Sequence, residues 1–339
     1  MFQEDEEMKD IVKNRCDLLI ANKNSIEKEF KWGEPMMNIA SGLVFSGAGK
    51  QADIERLKEC KTILEKNIGY FSSLRSTAAP IVVSKMAMAN DPIQYLNDVK
   101  MVYDKVSKGM FSDGSYMVQA AISICDQDKV LYADNYVAKF KELYKKMGKI
   151  HPFLTSSEDI VFAVLLVMTD KSVDTIINEM EECYNYLRKE LKIKVGANEI
   201  QGVSEVLTLT DGDWKEKCDK VVKLYETFLA HGVKYGTEYN EFASLGALIE
   251  LDVDIDEFVD EVVETEAYLK SVKGFGDWTM NKKQRLMFAA MLVGDAYSAD
   301  GSITSSSAIA SSVAAIIAEE VAIMICCMAA VSAATTVTN

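Results

Sequence analysis

A phrase recurs along this chain at almost constant distance, and few folds can accommodate that. MVYDKV around Tyr103, LYKKM around Tyr144, CYNYL around Tyr184 and LYETF around Tyr225 are spaced by 41, 40 and 41 residues. One step further lands on TEAYL near Glu266, and one step back on KTILEK near Thr62. A second column runs in register: apolar runs close on Asp91, Asp128, Asp170, Asp211, Asp252 and Asp295. A fixed period in this range marks an array of small supersecondary units, each too small to bury its own apolar face.

The content of each unit is helical. Apolar residues fall at i, i+3, i+4 and i+7 in the first half, as at Val99, Val102, Tyr103 and Val106, or Ile176, Ile177, Met180 and Tyr184. A turn follows, such as KGMFSDGS at 108–115 or KYGTEY at 234–239, and then a shorter, more apolar run carrying Ile124, Leu166, Leu207 or Leu248 four positions before its closing Asp. Helix-start signals sit where the pattern needs them: Asp91 before Pro92, Asp213 before Glu216, Asp254 before Glu257 and Thr155 before Glu158. With only 4 prolines and 18 glycines in 339 residues, the chain is read as all-α.

The expected architecture is therefore about seven tandem helical hairpins of ~41 residues, stacked as an α-solenoid or closed as an α/α toroid. The units are placed near 8–50, 51–91, 92–128, 129–170, 171–211, 212–252 and 253–295. SADGSITSSS at 298–307 reads as a linker, and 308–339 as an Ala-rich, apolar C-terminal helix and tail.

EFKW at 29–32, FLTSSEDIVFAVLL at 153–166, KGFGDW at 273–278 and KKQRLMFAAMLV at 282–293 carry a resemblance. The chain resembles an uncharacterised family of Gram-positive bacteria, the domain-of-unknown-function group numbered 4003, over nearly its whole length up to the tail. The resemblance implies a bacterial origin; it lends no residue a catalytic role.

Charge narrows the partners. A net charge of −15 repels phosphate backbones and anionic headgroups unless a local basic patch overrides it, so nucleic acid is not expected. Seven scattered cysteines without a CxxC pair read as reduced thiols, and the acidic N-terminus MFQEDEEMKD lacks the basic-then-apolar form of a signal peptide; both suggest a cytoplasmic protein. The uncharged segment 321–339 stays apolar for too few residues to span a bilayer, which makes it the one membrane candidate and, more readily, a helix buried in the core or in a homodimer seam.

Chemistry is hard to find in the linear pattern. His151 and His231 lack partners at metal-ligand spacing, SGAGK at 46–50 departs from a phosphate-binding loop because Gln51 follows the lysine, and no GxSxG elbow or Cys–His pairing occurs. The Asp column suits helix capping better than acid–base catalysis. No cofactor, metal or catalytic residue is assigned. Trp278, Lys282, Lys283 and Arg285 form the clearest aromatic–basic cluster and, with Arg75, are the candidate contacts for a partner. The expected function is a non-catalytic scaffold binding a protein or peptide. The alternatives are a toroid enzyme using cavity carboxylates and a carrier of an apolar small molecule or lipid.

Overall fold

The computed structural model describes residues 8–299 apart from 31–34, 112–113, 192–193, 250 and 252. Every regular element among the described residues is helical, with no strand among them. The helices are α1 (Asp10–Glu29), α2 (Pro35–Gly47), α3 (Ile54–Asn67), α4 (Ala79–Met88), α5 (Pro92–Ser107), α6 (Gly114–Asp126) and α7 (Ala133–Ile150). They continue as α8 (Asp159–Val167), α9 (Val173–Glu190), α10 (Ala197–Leu209), α11 (Trp214–Ala230), α12 (Tyr239–Leu248), α13 (Ile255–Ser271) and α14 (Lys282–Ala299). Single 3-10 turns at Ser73–Arg75 and Val130–Tyr132 precede α4 and α7.

Odd- and even-numbered helices differ in what they bury. α7 buries one stripe, Ala133, Val137, Phe140, Leu143 and Met147, and shows water the rest. α8 is buried at all nine of its residues, which requires neighbours on every side. The even helices accordingly form an inner layer in which α2 packs on α4, and α6, α8, α10, α12 and α14 pack in succession. The odd helices lie outside them, each touching the next. α1 also packs against α13 and α14, so the first and last described helices are direct neighbours.

That junction is polar at its rim. Lys9 binds Glu257 and Glu261, and its ammonium also reaches the hydroxyl of Tyr297 at 2.5 Å. Tyr268 donates to Asp17, and Arg15 pairs with Asp295 at 3.3 Å.

Helix starts follow the capping chemistry. Asp91, Asp213 and Asp254 each accept two backbone N–H groups of the helix they begin, and Asp53 accepts one. The other members of the Asp column act differently. Asp170 and Asp211 lie two residues before the true caps, Ser172 and Asp213. Asp128 sits in a left-handed turn at φ 54°, Asp295 lies inside α14, and Asp252 is outside the described residues. α8 begins at Asp159 instead of near Thr155, because the Ser156 N–H donates to Asp159 Oδ2 at 2.5 Å and holds the preceding residues as a turn. SGAGK closes α2: Gly49 takes φ 65°, and the Lys50 N–H donates back to Phe45. The linker from residue 300 and the Ala-rich segment lie outside the described residues.

Candidate functional site

The inner layer is not uniform. Among the described residues α4 and α6 stand apart, with the 3-10 turn at Ser73–Arg75 packed against both at one end. At the other end, where α2, α4 and α6 terminate, lies a cavity of about 580 Å³. Its apolar wall comes from Leu43, Val44 and Met88, and its polar groups are Lys85, Asn90, Tyr95, Asp126, Asp128 and Asp295. Those side chains come from five different helices and two connections, so no linear motif could announce them.

The carboxylates in this cavity have unlike surroundings. Asp126 accepts from Tyr95 Oη at 2.7 Å and from Lys85 Nζ at 2.8 Å. Asp295 is half-buried, which raises its carboxyl pKa, and the nearby Arg15 guanidinium opposes that rise. Burial and the adjacent Asp126 push the Cys125 thiol up to about 12, so this cysteine stays protonated and is no nucleophile at neutral pH.

A second cluster lies deep between α8, α10 and α12. Tyr239 Oη donates to Asp159 Oδ1 at 3.0 Å and approaches Glu205 Oε2 at 3.3 Å, while Gln201 Nε2 reaches Asp159 Oδ1 at 2.9 Å and Glu205 Oε1 at 3.1 Å. Asp159 and Glu205 both have zero exposure. Burial raises both carboxyls, and for Glu205 the neighbouring Asp159 adds to it, so the pair holds a proton in the folded state. Gly202 permits the approach, since a Cβ there would lie 2.6 Å from the Tyr239 ring. With all four side chains buried, this cluster serves as a polar tie between three inner helices.

The residues singled out in the sequence do not form one surface. Trp278 is fully exposed and Lys282 is exposed, but Arg285 has zero exposure: it binds Glu266 and Asp277, each at 2.8 Å, and the Met280 carbonyl at 2.7 Å. Arg285 is therefore an internal brace of the turn before α14. Lys283 is half-buried beside α12. Arg75 donates to the carbonyls of Ile68 and Glu65 and lies over the Tyr70 ring. His151 pairs with Glu181 at 2.8 Å, and His231 sits between Asp260 and Asp256. Among the described residues no group of three or more His, Cys, Asp or Glu side chains is arranged to hold a metal ion. Among them, too, no helix is long and apolar enough to cross a membrane.

Comparison with known proteins gives a family and no activity. The profile of a family described as "Protein of unknown function (DUF4003)" matches residues 22–322. The chain is similar to the uncharacterized protein YeaA of Bacillus subtilis (strain 168), with 25% identity over 240 residues, covering 67% of this chain and 70% of that one. No solved structure matches.

Proposed function

We propose, for a chain that belongs to the DUF4003 family of proteins of unknown function, a closed α/α toroid of seven helical hairpins that binds a small polar molecule. The cavity at the ends of α2, α4 and α6 carries this reading. Its volume of about 580 Å³ is that of a small-molecule site, and its polar groups converge from separate elements. The packing of α1 on α13 and α14 supports closure. Closure also removes the open concave groove along which a scaffold would hold a peptide, so the scaffold reading draws less support.

The wall specifies the ligand's chemistry. Three carboxylates accept hydrogen bonds, while Lys85 and Tyr95 already donate to Asp126. The complementary molecule presents hydroxyl or ammonium donors, as a sugar, polyol or amine does. An apolar carrier function fits this wall poorly. One observation favours an enzymatic form of the same reading: Asp126 and Asp295 meet in one cavity in different environments, Asp126 bound by Lys85 and Tyr95 and Asp295 with its carboxyl pKa raised by burial. Such a pair can divide the roles of acid and base in hydrolysis.

The test is a thermal-shift screen of sugars, polyols, amines and fatty acids, followed by calorimetry on hits. A hydroxyl- or ammonium-bearing compound is expected to raise the melting temperature, and the Asp126→Asn and Asp295→Asn variants are expected to lose most of that shift. A hit list of fatty acids alone, or a shift that survives both substitutions, sinks the proposal.

A further inference from the structure

The connections from outer to inner helix share one end of the molecule. Tyr103 at the end of α5 donates to Ser73 before α4 at 3.0 Å, Asn198 at the start of α10 donates to Glu158 before α8 at 3.2 Å, and Gly274 before α14 abuts Lys23 of α1. Four of these connections carry aromatic rings that nothing covers. Phe71, Phe111, Phe153 and Trp278 are each at least 97% exposed, and Tyr70 is 76% exposed. Placing full aromatic side chains in water at four separate tips is costly unless something else receives them.

Charge at this end runs against the chain's overall sign. Lys66, Lys108, Lys149, Lys273 and Lys282 are exposed in or beside the same four connections, and Lys189, Lys194 and Lys234 extend the set around the ring. Acids are interspersed with them: Glu65 and Glu238 are exposed, Glu190 pairs with Lys189 at 3.6 Å, and Asp277 is held by Arg285. The opposite end carries the capping carboxylates Asp91, Asp213 and Asp254, with Asp126, Asp128 and Asp134. Leu131 and Tyr132 are exposed there too, but among carboxylates.

We infer that the end bearing Phe71, Phe111, Phe153 and Trp278 docks on an anionic lipid bilayer, with the rings entering the headgroup layer and the lysines meeting its negative charge. Rings at separate tips around a broad face match a flat surface better than a pocketed protein partner, whose anchors cluster centrally. Aromatic anchors combined with a basic rim are what interfacial binding needs. A net −15 protein is thereby oriented: its acidic end, with the small-molecule cavity, faces away from the surface.

The test is flotation of the full chain with vesicles of phosphatidylcholine alone or with phosphatidylglycerol. Binding is expected only to the anionic vesicles, falling with added salt. Combining Phe71→Ser, Phe111→Ser, Phe153→Ser and Trp278→Ser is expected to lower partitioning by about tenfold or more. The combined Lys66→Gln, Lys108→Gln, Lys149→Gln and Lys273→Gln variant is expected to do the same. These are exposed positions, and unchanged circular dichroism and melting will show that folding is intact. Absence of wild-type binding overturns the inference, as does binding unaffected by the aromatic substitutions, which would assign it to residues 308–339. A protein bound through this face without any affinity for vesicles overturns it as well.

Discussion

Glu205 and Asp159 couple their titration to folding. Both carboxyls are raised in the folded chain by burial and titrate ordinarily when unfolded, so the folded state binds protons more tightly. Their contribution to stability is full below the usual carboxylate range and is lost as pH rises through the raised folded values. Glu205→Gln keeps a donor toward Asp159 without the charge. Its urea midpoint is expected to match wild type near pH 4 and exceed it at pH 8, with a gain of about 1–3 kcal/mol there. A variant less stable than wild type at both pH values would show that the carboxyl itself is required. Gly202→Ala is expected to destabilise by about 1–3 kcal/mol, since the added methyl meets the Tyr239 ring. None of this was readable from sequence: Asp159, Gln201, Glu205 and Tyr239 come from three units of the period, and burial, not residue type, gives them their character.

At the scale of elements, the sequence was informative wherever the cause is local. Asp213 precedes Glu216, and the structure shows the Asp213 carboxylate accepting from the backbone of Lys215 and Glu216. The same logic misplaced the start of α8 and overextended the Asp column, since an Asp after an apolar run caps a helix only when the following two residues permit it. Helix C-termini were legible where a glycine follows, as at Gly49 and Gly232, and not where distant side chains supply the donors. Lys217 Nζ donates to the carbonyls of Leu207 and Thr210 at 2.6 and 2.9 Å, and Lys171 Nζ to those of Thr208 and Thr210 at 2.8 and 2.9 Å. Glu179 balances both lysines at 2.6 and 2.8 Å. The end of α10 is thus capped from α11 and from the turn between α8 and α9, with Glu179 of α9 holding both lysines, over distances no short window spans. Lys217→Met leaves Glu179 and the carbonyls short of a buried donor, and chemical denaturation is expected to show a loss of about 3–5 kcal/mol. Asp254→Ala, at an exposed cap, is expected to cost only about 1 kcal/mol by the same measurement.

For the whole molecule, the helical class followed from composition and periodicity, whereas the cavity depends on how hairpins come together. Asp126 and Asp295 lie 169 positions apart in the sequence and share a wall only because α14 returns beside α1. The packing of α1 on α13 and α14 also ties the first described helix to the last two. Thermal unfolding of the described helices is therefore expected to be a single cooperative transition, with calorimetric and van't Hoff enthalpies in agreement; sequential melting of hairpins would argue that the junction contributes little. The same junction sets an order of events during synthesis. α1 leaves the ribosome well before the surfaces it packs on, those of α13 and α14, are made. Until then its unmatched face must be shielded by provisional contacts or by chaperones, and a chain stopped anywhere before α13 carries that exposed face as a mark of incompleteness.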